Sequence, residues 1–341
     1  MKTPPLLLAA RKQPAPFTPI WLMRQAGRYL REYRRLRERY PFLTLCKDPE
    51  LVVEVTLLPL KKFELDGAIV FSDLLLPLEG MGLKIAYPDG GPRVLTPVRD
   101  EGDVENLSEE RALEALQPVI EAIRVLRREV PADVALIGFA GGPFTMACYA
   151  IEGRGSKDFP ETKAMMRRAP EVFDRLMGKL SGVIRRFLLD QAKAGCHIVQ
   201  VFDSWAGSLS PLEYRRRVLP FVKEAIRGME IPVIYFSTGT GGFVELIAEA
   251  GGEVMGLDWR VDIGEAWRRI GYRRAIQGNL DPSVLLAPRD VIEEEVREIL
   301  RATSGHPGHI FNLGHGILPD TPEENVAFLV DLVHALTEGR R

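Results

Sequence analysis

Cysteine is scarce in this chain: Cys46, Cys148 and Cys196 are the only three among 341 residues. They are widely separated and never spaced C-x-x-C, which leaves no disulfide framework or zinc ribbon and fits a reducing cytoplasm. Uninterrupted apolar runs of membrane length are also missing. Val134 to Ile151 carries no charged residue, but Gly141-Gly142-Pro143 breaks it, and Asp133 and Glu152 bound it. It reads as strand, glycine turn and buried helix rather than as a membrane span. Leu6 to Ala10 is short and precedes Arg11 and Lys12, the reverse of a secretory signal. Nor is there an excess of charge: 45 Lys and Arg face 47 Asp and Glu, a net charge of -2. That balance argues against a broad nucleic-acid surface, so an acidic ligand must be caught by a local cluster. No G-x-G-x-x-G follows the first apolar run, and no P-loop is present.

What is there is a series of eight short apolar runs, each ending in a polar or glycine cluster. They are Ile20–Met23, Ala68–Phe71, Val134–Ile137, Ile198–Phe202, Val233–Phe236, Val254–Leu257, Ala275–Gln277 and Ile310–Leu313. Runs apolar on both faces fit buried parallel strands. Helical patterns lie between them, as in Leu176–Leu189 and Gly242–Ala250. Alternation of this kind predicts an α/β fold, a (β/α)8 TIM-type barrel forming one domain over 1–341. The alternative is a doubly wound open sheet. In a barrel the loops after the strands converge on one face, which gathers Arg24, Asp73, Ser204 and His315 around a single pocket. The long segment between the second and third runs contains Lys84–Leu95, which predicts a hairpin with a glycine turn lying over the barrel mouth or at a subunit contact.

The stretch Ile20 to Leu30 ends a buried run in Arg24, passes through Gln25-Ala26-Gly27, and opens an expected helix at Arg28. Guanidinium groups suit planar recognition of carboxylate or phosphate, so this stretch is the expected anion-binding lip. The alternative is a surface helix with solvated arginines. Downstream, Tyr29, Tyr33, Leu36 and Tyr40 form a helical stripe, with Arg31, Arg34, Arg35, Arg37 and Arg39 on the remaining faces. Asp73, directly after the second run, is placed either to carry charge at the pocket floor or to cap a following helix. His315 sits between two glycines after the last run, a place for a catalytic acid or anion contact. His306, His309 and His315 lack the nearby Cys or paired carboxylates a metal site needs. Asp203, Asp258 and Asp281 read as acceptors that fix loops.

Several of these segments together resemble the signature of the uroporphyrinogen decarboxylase family. They are Trp21 to Tyr29; Phe71-Ser72-Asp73 with Gly80-Met81-Gly82; Gly141 to Thr145 with Tyr149 and Ile151-Glu152-Gly153; and Phe202 to Gly207. Gly256 to Trp259, Gln277 to Pro282 and Asn312 to Gly316 complete the set. The matches are collinear over almost the whole chain. The resemblance implies a cofactor-free, metal-free barrel enzyme of haem biosynthesis, cytoplasmic and homodimeric. Such an enzyme removes the four acetate carboxyls of uroporphyrinogen III to give coproporphyrinogen III. It implies Asp73, Arg24 and His315 as catalytic residues. Arg24, Gln25, Ala26, Gly27, Arg28, Arg37, Asp73, Tyr149, Ser204 and His315 are implied as substrate contacts. Arg31 stands where the family often has proline, and Ser237-Thr238 where it often has a lysine. A methyltransferase of the same superfamily would need a His/Cys cluster, and a tetrapyrrole carrier would keep the basic lip without needing Asp73.

Overall fold

The computed structural model describes residues 3–88 and 91–339. Strand β1 (Gly67–Ile69) lies at one edge of the main sheet. A short hairpin, β2 (Ile85–Ala86) and β3 (Arg93–Val94), follows it. The sheet continues through β4 (Ala135–Gly141), β5 (Ile198–Asp203), β6 (Val233–Ser237), β7 (Val254–Gly256), β8 (Ala275–Leu280) and β9 (His309–Leu313). All neighbouring pairs in the seven-stranded sheet are parallel, in the order β1-β4-β5-β6-β7-β8-β9. Parallel neighbours in sequence order require a helical crossover each time, and the long helix Pro170–Ala194 between β4 and β5 is the largest.

The edge strands β1 and β9 meet across a single extended segment. Phe311 N–H donates to Pro19 O at 2.8 Å, and Asp66 N–H donates to Ile20 O at 2.9 Å. The sheet is therefore curled and barrel-like rather than open. The expected first strand, Ile20–Met23, reduces to one bridge, Ile20 to Phe311. Side chains take the remaining ladder positions: Asp66 Oδ2 accepts from Ile20 N–H at 2.7 Å, and Asn312 Oδ1 from Met23 N–H at 3.0 Å. Gln25 Nε2 donates to Gly67 O at 3.0 Å.

Two strands run several residues past the ends of their apolar runs, β4 to Gly141 and β8 to Leu280. β4 passes through Gly138, where a Cβ would strike the Gln191 amide that bonds both the N–H and the C=O of Phe139. The hairpin strands pair as expected, Ile85 with Val94, while its tip at Asp89-Gly90 lies outside the described residues.

Two apolar layers follow. Trp21, Met23, Ile69, Ile137, Ile198, Ile234, Val254 and Ile310 fill the inside of the curl, and the helix Pro5–Ala10 closes its lower end with Leu6 and Leu7. A buried polar chain crosses this interior: Trp21 Nε1 donates to Gln277, whose amide donates to Gln200 at 3.0 Å. The second layer lies between the strands and their helices. Among the described residues no helix is long and apolar enough to cross a membrane.

Candidate functional site

The loops at the carboxyl ends of the strands form the recess. After β1 the chain runs Val70-Phe71-Ser72-Asp73 and turns into the short helix Leu76–Gly80. Asp73 Oδ1 fixes this turn by accepting from Leu75 N–H at 2.9 Å. The same oxygen accepts from the Tyr87 hydroxyl at 2.8 Å. The capping alternative is not met: Leu75 is the N-cap of the helix Leu76–Gly80, with no side-chain cap, and Asp73 makes an Asx-type turn before it. Oδ2 has no donor among the described residues and stays open to solvent. Asp73 is half-buried, and loss of water around it pushes its carboxyl pKa above the ordinary value. The Leu75 N–H, the Tyr87 hydroxyl and the Arg24 charge oppose that rise, and Glu79 adds to it.

Arg24 occupies the turn that follows the bridging segment, in a left-handed conformation with φ 62°. That is an uncommon state for a residue with a side chain, and it swings the guanidinium out of the barrel wall. The Arg24 stem then crosses Gly316, where a Cβ would run into its Cγ and Cδ. Its charge is felt at Asp73, Tyr149 and His315, which places all three around it. The expected helix at Arg28 begins instead at Arg31, so Arg24 and Arg28 are not related by a helical turn. Arg28 is exposed, and its charge reaches Tyr33, as does that of Arg37. Arg37 is half-buried, donates to Tyr40 O at 2.7 Å and lies 5.5 Å over the Phe42 ring.

Gln25 lies in the barrel seam rather than on the open face of the lip. Its side chain is fully buried in the seam, accepting from Leu22 N–H and donating to Gly67 O. Its backbone N–H donates to Leu22 O, and its C=O accepts from the Tyr29 hydroxyl. Ala26 and Gly27 are half-buried, and Gly27 passes close under Arg24 O, where a Cβ would sit 2.9 Å away.

On the opposite wall, Tyr149 projects from the helix Pro143–Glu152 and packs on Trp205 with ring centroids 4.3 Å apart. Burial, and then the Asp73 charge, pushes the Tyr149 phenol up to about 12. Ser204 is half-buried beside Trp205, and its carbonyl accepts from Thr238. Below it, Asp203 is wholly buried; it accepts from Thr145 N–H at 2.8 Å and from the Tyr235 hydroxyl at 3.0 Å. Asp203 therefore ties the Ser204 loop to the helix that carries Tyr149. Asp258 accepts from Arg260 N–H and Gly239 N–H, and Asp281 from Ser283. All three acids fix loops, as expected.

His315 follows β9 and meets the Trp259 ring edge-on at 6.2 Å. Burial, then the charges of Arg24 and Arg260, holds its pKa down to about 4, with Asp258 opposing. The imidazole is neutral at pH 7 and can donate or accept a hydrogen bond, but it does not store a proton there. His306 stacks on Tyr272 and His309 bonds Gly278 O, so the three histidines do not converge. Among the described residues no three His, Cys, Asp or Glu side chains gather to hold a metal.

Sequence reasoning missed Tyr87, Phe42 and Arg260. The hairpin's expected position over the mouth was the only signal for Tyr87, which packs on Phe42 at 4.9 Å. Arg260 lies 4.1 Å over the Trp259 ring, and nothing in the pattern of apolar runs marks it.

The fold and this recess define a class: a barrel-like parallel α/β protein with a strand-end carboxylate, Asp73, beside a cationic and a hydroxyl group. Known proteins narrow the class. A family model described as uroporphyrinogen decarboxylase matches residues 1–336. A uroporphyrinogen decarboxylase from Carboxydothermus hydrogenoformans is 50% identical, covering 97% of this chain and 96% of its own length. One from Syntrophotalea carbinolica is 52% identical, covering 96% of each. A solved methyltransferase from Methanosarcina mazei shares the fold with a TM-score of 0.81, at 20% identity, over 97% of this chain and 98% of that one. The chain belongs to the uroporphyrinogen decarboxylase family.

Proposed function

We propose that this protein decarboxylates uroporphyrinogen III, removing its four acetate carboxyls as CO2 to leave methyl groups and give coproporphyrinogen III. The observation that carries the reading is Asp73, whose Oδ2 has no donor among the described residues and which feels the Arg24 charge, in a chain about half identical to named decarboxylases. The substrate presents carboxylates at its rim and pyrrole N–H groups at its centre. Arginines meet the first and a carboxylate meets the second. Protonation of a pyrrole carbon turns that ring into a cationic electron sink. The bond to the carboxyl then breaks, its electrons neutralise the ring, and CO2 leaves. A proton added to the freed methylene carbon and one lost from the ring restore the pyrrole, so each CO2 released consumes one proton.

Asp73 stabilises the cation as it forms. At an effective dielectric of about 20, opposite charges about 4 Å apart attract by roughly 4 kcal/mol, a useful part of the roughly 8–23 kcal/mol that enzymes supply. Arg24 is a poor proton donor because arginine pKa values exceed about 12, so its role is to hold carboxylate. His315 serves as a neutral hydrogen-bond partner, and Tyr149 and Ser204 position side-chain carboxyls of the substrate. The substrate supplies its own electron sink, so the reaction calls for no cofactor. We further propose that Pro19–Trp21 takes the place of the eighth barrel strand, that the chain is one domain, and that it works as a cytoplasmic homodimer. Three buried free thiols fit the reducing compartment.

The test is anaerobic incubation with uroporphyrinogen, reading products by carboxyl count. Conversion of the eight-carboxyl substrate to a four-carboxyl product is expected. Unchanged substrate with folded protein would overturn the reading.

A further inference from the structure

The strands of the hairpin (Ile85–Ala86 and Arg93–Val94) flank a loop that sends one phenol back into the recess: Tyr87 Oη lies 2.8 Å from Asp73 Oδ1. That oxygen already accepts from Leu75 N–H, whereas Oδ2 has no donor among the described residues. A carboxylate free to rotate about its Cβ–Cγ bond would present either oxygen, in many orientations, to a ligand. Two donors on one oxygen fix the plane and leave the other oxygen exposed. Packing of the Tyr87 ring against Phe42, itself edge-on to Phe71, holds the phenol in place. We propose that Tyr87 is a positioning residue: it locks the Asp73 carboxylate so that Oδ2 alone is aimed at the reacting pyrrole. This inference rests on the function proposed above.

A hydrogen bond to the ionised carboxylate also favours the ionised form. The other groups facing Asp73 are Arg24 from the turn before Gln25, Glu79 from its own following helix, and Tyr33, Cys46 and Tyr149 from three separate helices. Of these, only Arg24 pulls the carboxyl pKa down, so Tyr87 is one of few groups opposing the effect of burial. Removing its hydroxyl therefore has two consequences: a less oriented carboxylate and a carboxyl that stays protonated to higher pH.

The experiment compares wild type with Tyr87→Phe and Tyr87→Leu. One readout is Asp73 ionisation in ligand-free protein, by isotope-edited infrared titration referenced to Asp73→Asn. The other is the pH profile of uroporphyrinogen decarboxylation. For Tyr87→Phe, which keeps the ring on Phe42, the carboxyl titration should move up by about one pH unit. The acid limb of kcat should move with it, and kcat should fall roughly tenfold with KM within about twofold. Tyr87→Leu should show the same titration shift plus a loss of thermal stability from lost packing. A Tyr87→Phe protein with wild-type titration and wild-type kcat overturns the proposal, because only the ring would then matter. A titration that moves while kcat does not overturns the catalytic part. If wild type releases no CO2, the substrate reading fails, yet the titration still decides whether Tyr87 holds Asp73.

Discussion

A half-buried carboxylate with a raised pKa works by its charge only once it is ionised, so Asp73 offers a clean substitution. Asp73→Asn keeps the volume and the Oδ1 acceptor for Leu75 and Tyr87. Turnover should fall by about a hundredfold or more, roughly 3 kcal/mol of lost transition-state stabilisation. Stability should move the other way. Burial raises the folded pKa of this acid, so above its unfolded value the ionised side chain weighs against folding. Thermal unfolding at pH 7 should therefore show the Asn variant at least as stable as wild type, with the difference fading below pH about 4. Arg24 and Arg28 should differ in kind. Arg24 acts on Asp73 and His315, whereas the exposed Arg28 acts on Tyr33. Steady-state kinetics should show Arg28→Ala raising KM alone and Arg24→Ala lowering kcat as well. Identical signatures would mean this division between the two arginines is mistaken. Asp73 was legible because it directly follows an apolar run. The place of Gln25 was not legible, because its motif gives no sign that its amide bridges Leu22 and Gly67 inside the barrel seam. Tyr87 was missed although it lies only 14 residues after Asp73, because a hairpin pattern does not show which side chain turns back onto the strand-end loop.

At the scale of elements, buried parallel strands announce themselves as continuous apolar runs, and seven of the eight were found that way. The eighth illustrates the limit. Along Ile20 to Met23, Trp21 and Met23 face the barrel interior while Ile20 and Leu22 face the helix layer. That alternation is the mark of any extended segment between two cores; only the partners show that Asp66, Asn312 and Gln25 side chains replace most of a ladder. The turn after it depends on the loop following β9, because the Arg24 stem lies across Gly316. Gly316→Ala should push Arg24 aside while leaving the fold intact, since Arg24 is exposed and free to move. We expect kcat/KM to fall roughly tenfold, by ~1.4 kcal/mol, with a change in thermal midpoint of only a degree or two. Wild-type kinetics for this variant would mean that the crossing does not set the arginine's position.

For the molecule as a whole, the two ends of the chain are pinned together beneath the barrel. Thr18 N–H donates to Thr337 Oγ1 at 3.0 Å, and His334 Nε2 lies 2.8 Å from Asp66 Oδ2, the same oxygen that holds Ile20. Burial lowers the His334 pKa, but the hydrogen bond and charge of Asp66 outweigh it, so the folded value is raised above 6.5. The linked stability is fully present below pH 6.5 and is lost as pH rises through the folded value. His334→Gln should therefore cost about 1 kcal/mol in denaturant unfolding at pH 6 and much less at pH 9. An equal cost at both would show that the ion pair contributes nothing. None of this pinning was readable from composition or periodicity, because it joins residues at opposite ends of the chain.

The same seam has a bearing on synthesis. Ile20 leaves the ribosome early, yet its partner Phe311 follows about 290 residues later, roughly 15 to 60 seconds at about 5–20 residues per second. Through that interval β1 has β4 on one side, but the wall that should stand against Ile20 does not exist, and the apolar face of Trp21 and Met23 has no completed interior to enter. The nascent chain must carry an unfinished sheet edge almost to termination. A ribosome stalled before β9 should thus display a species that recruits chaperones and is readily cut near Arg24, whereas one stalled beyond the final helix should resist both.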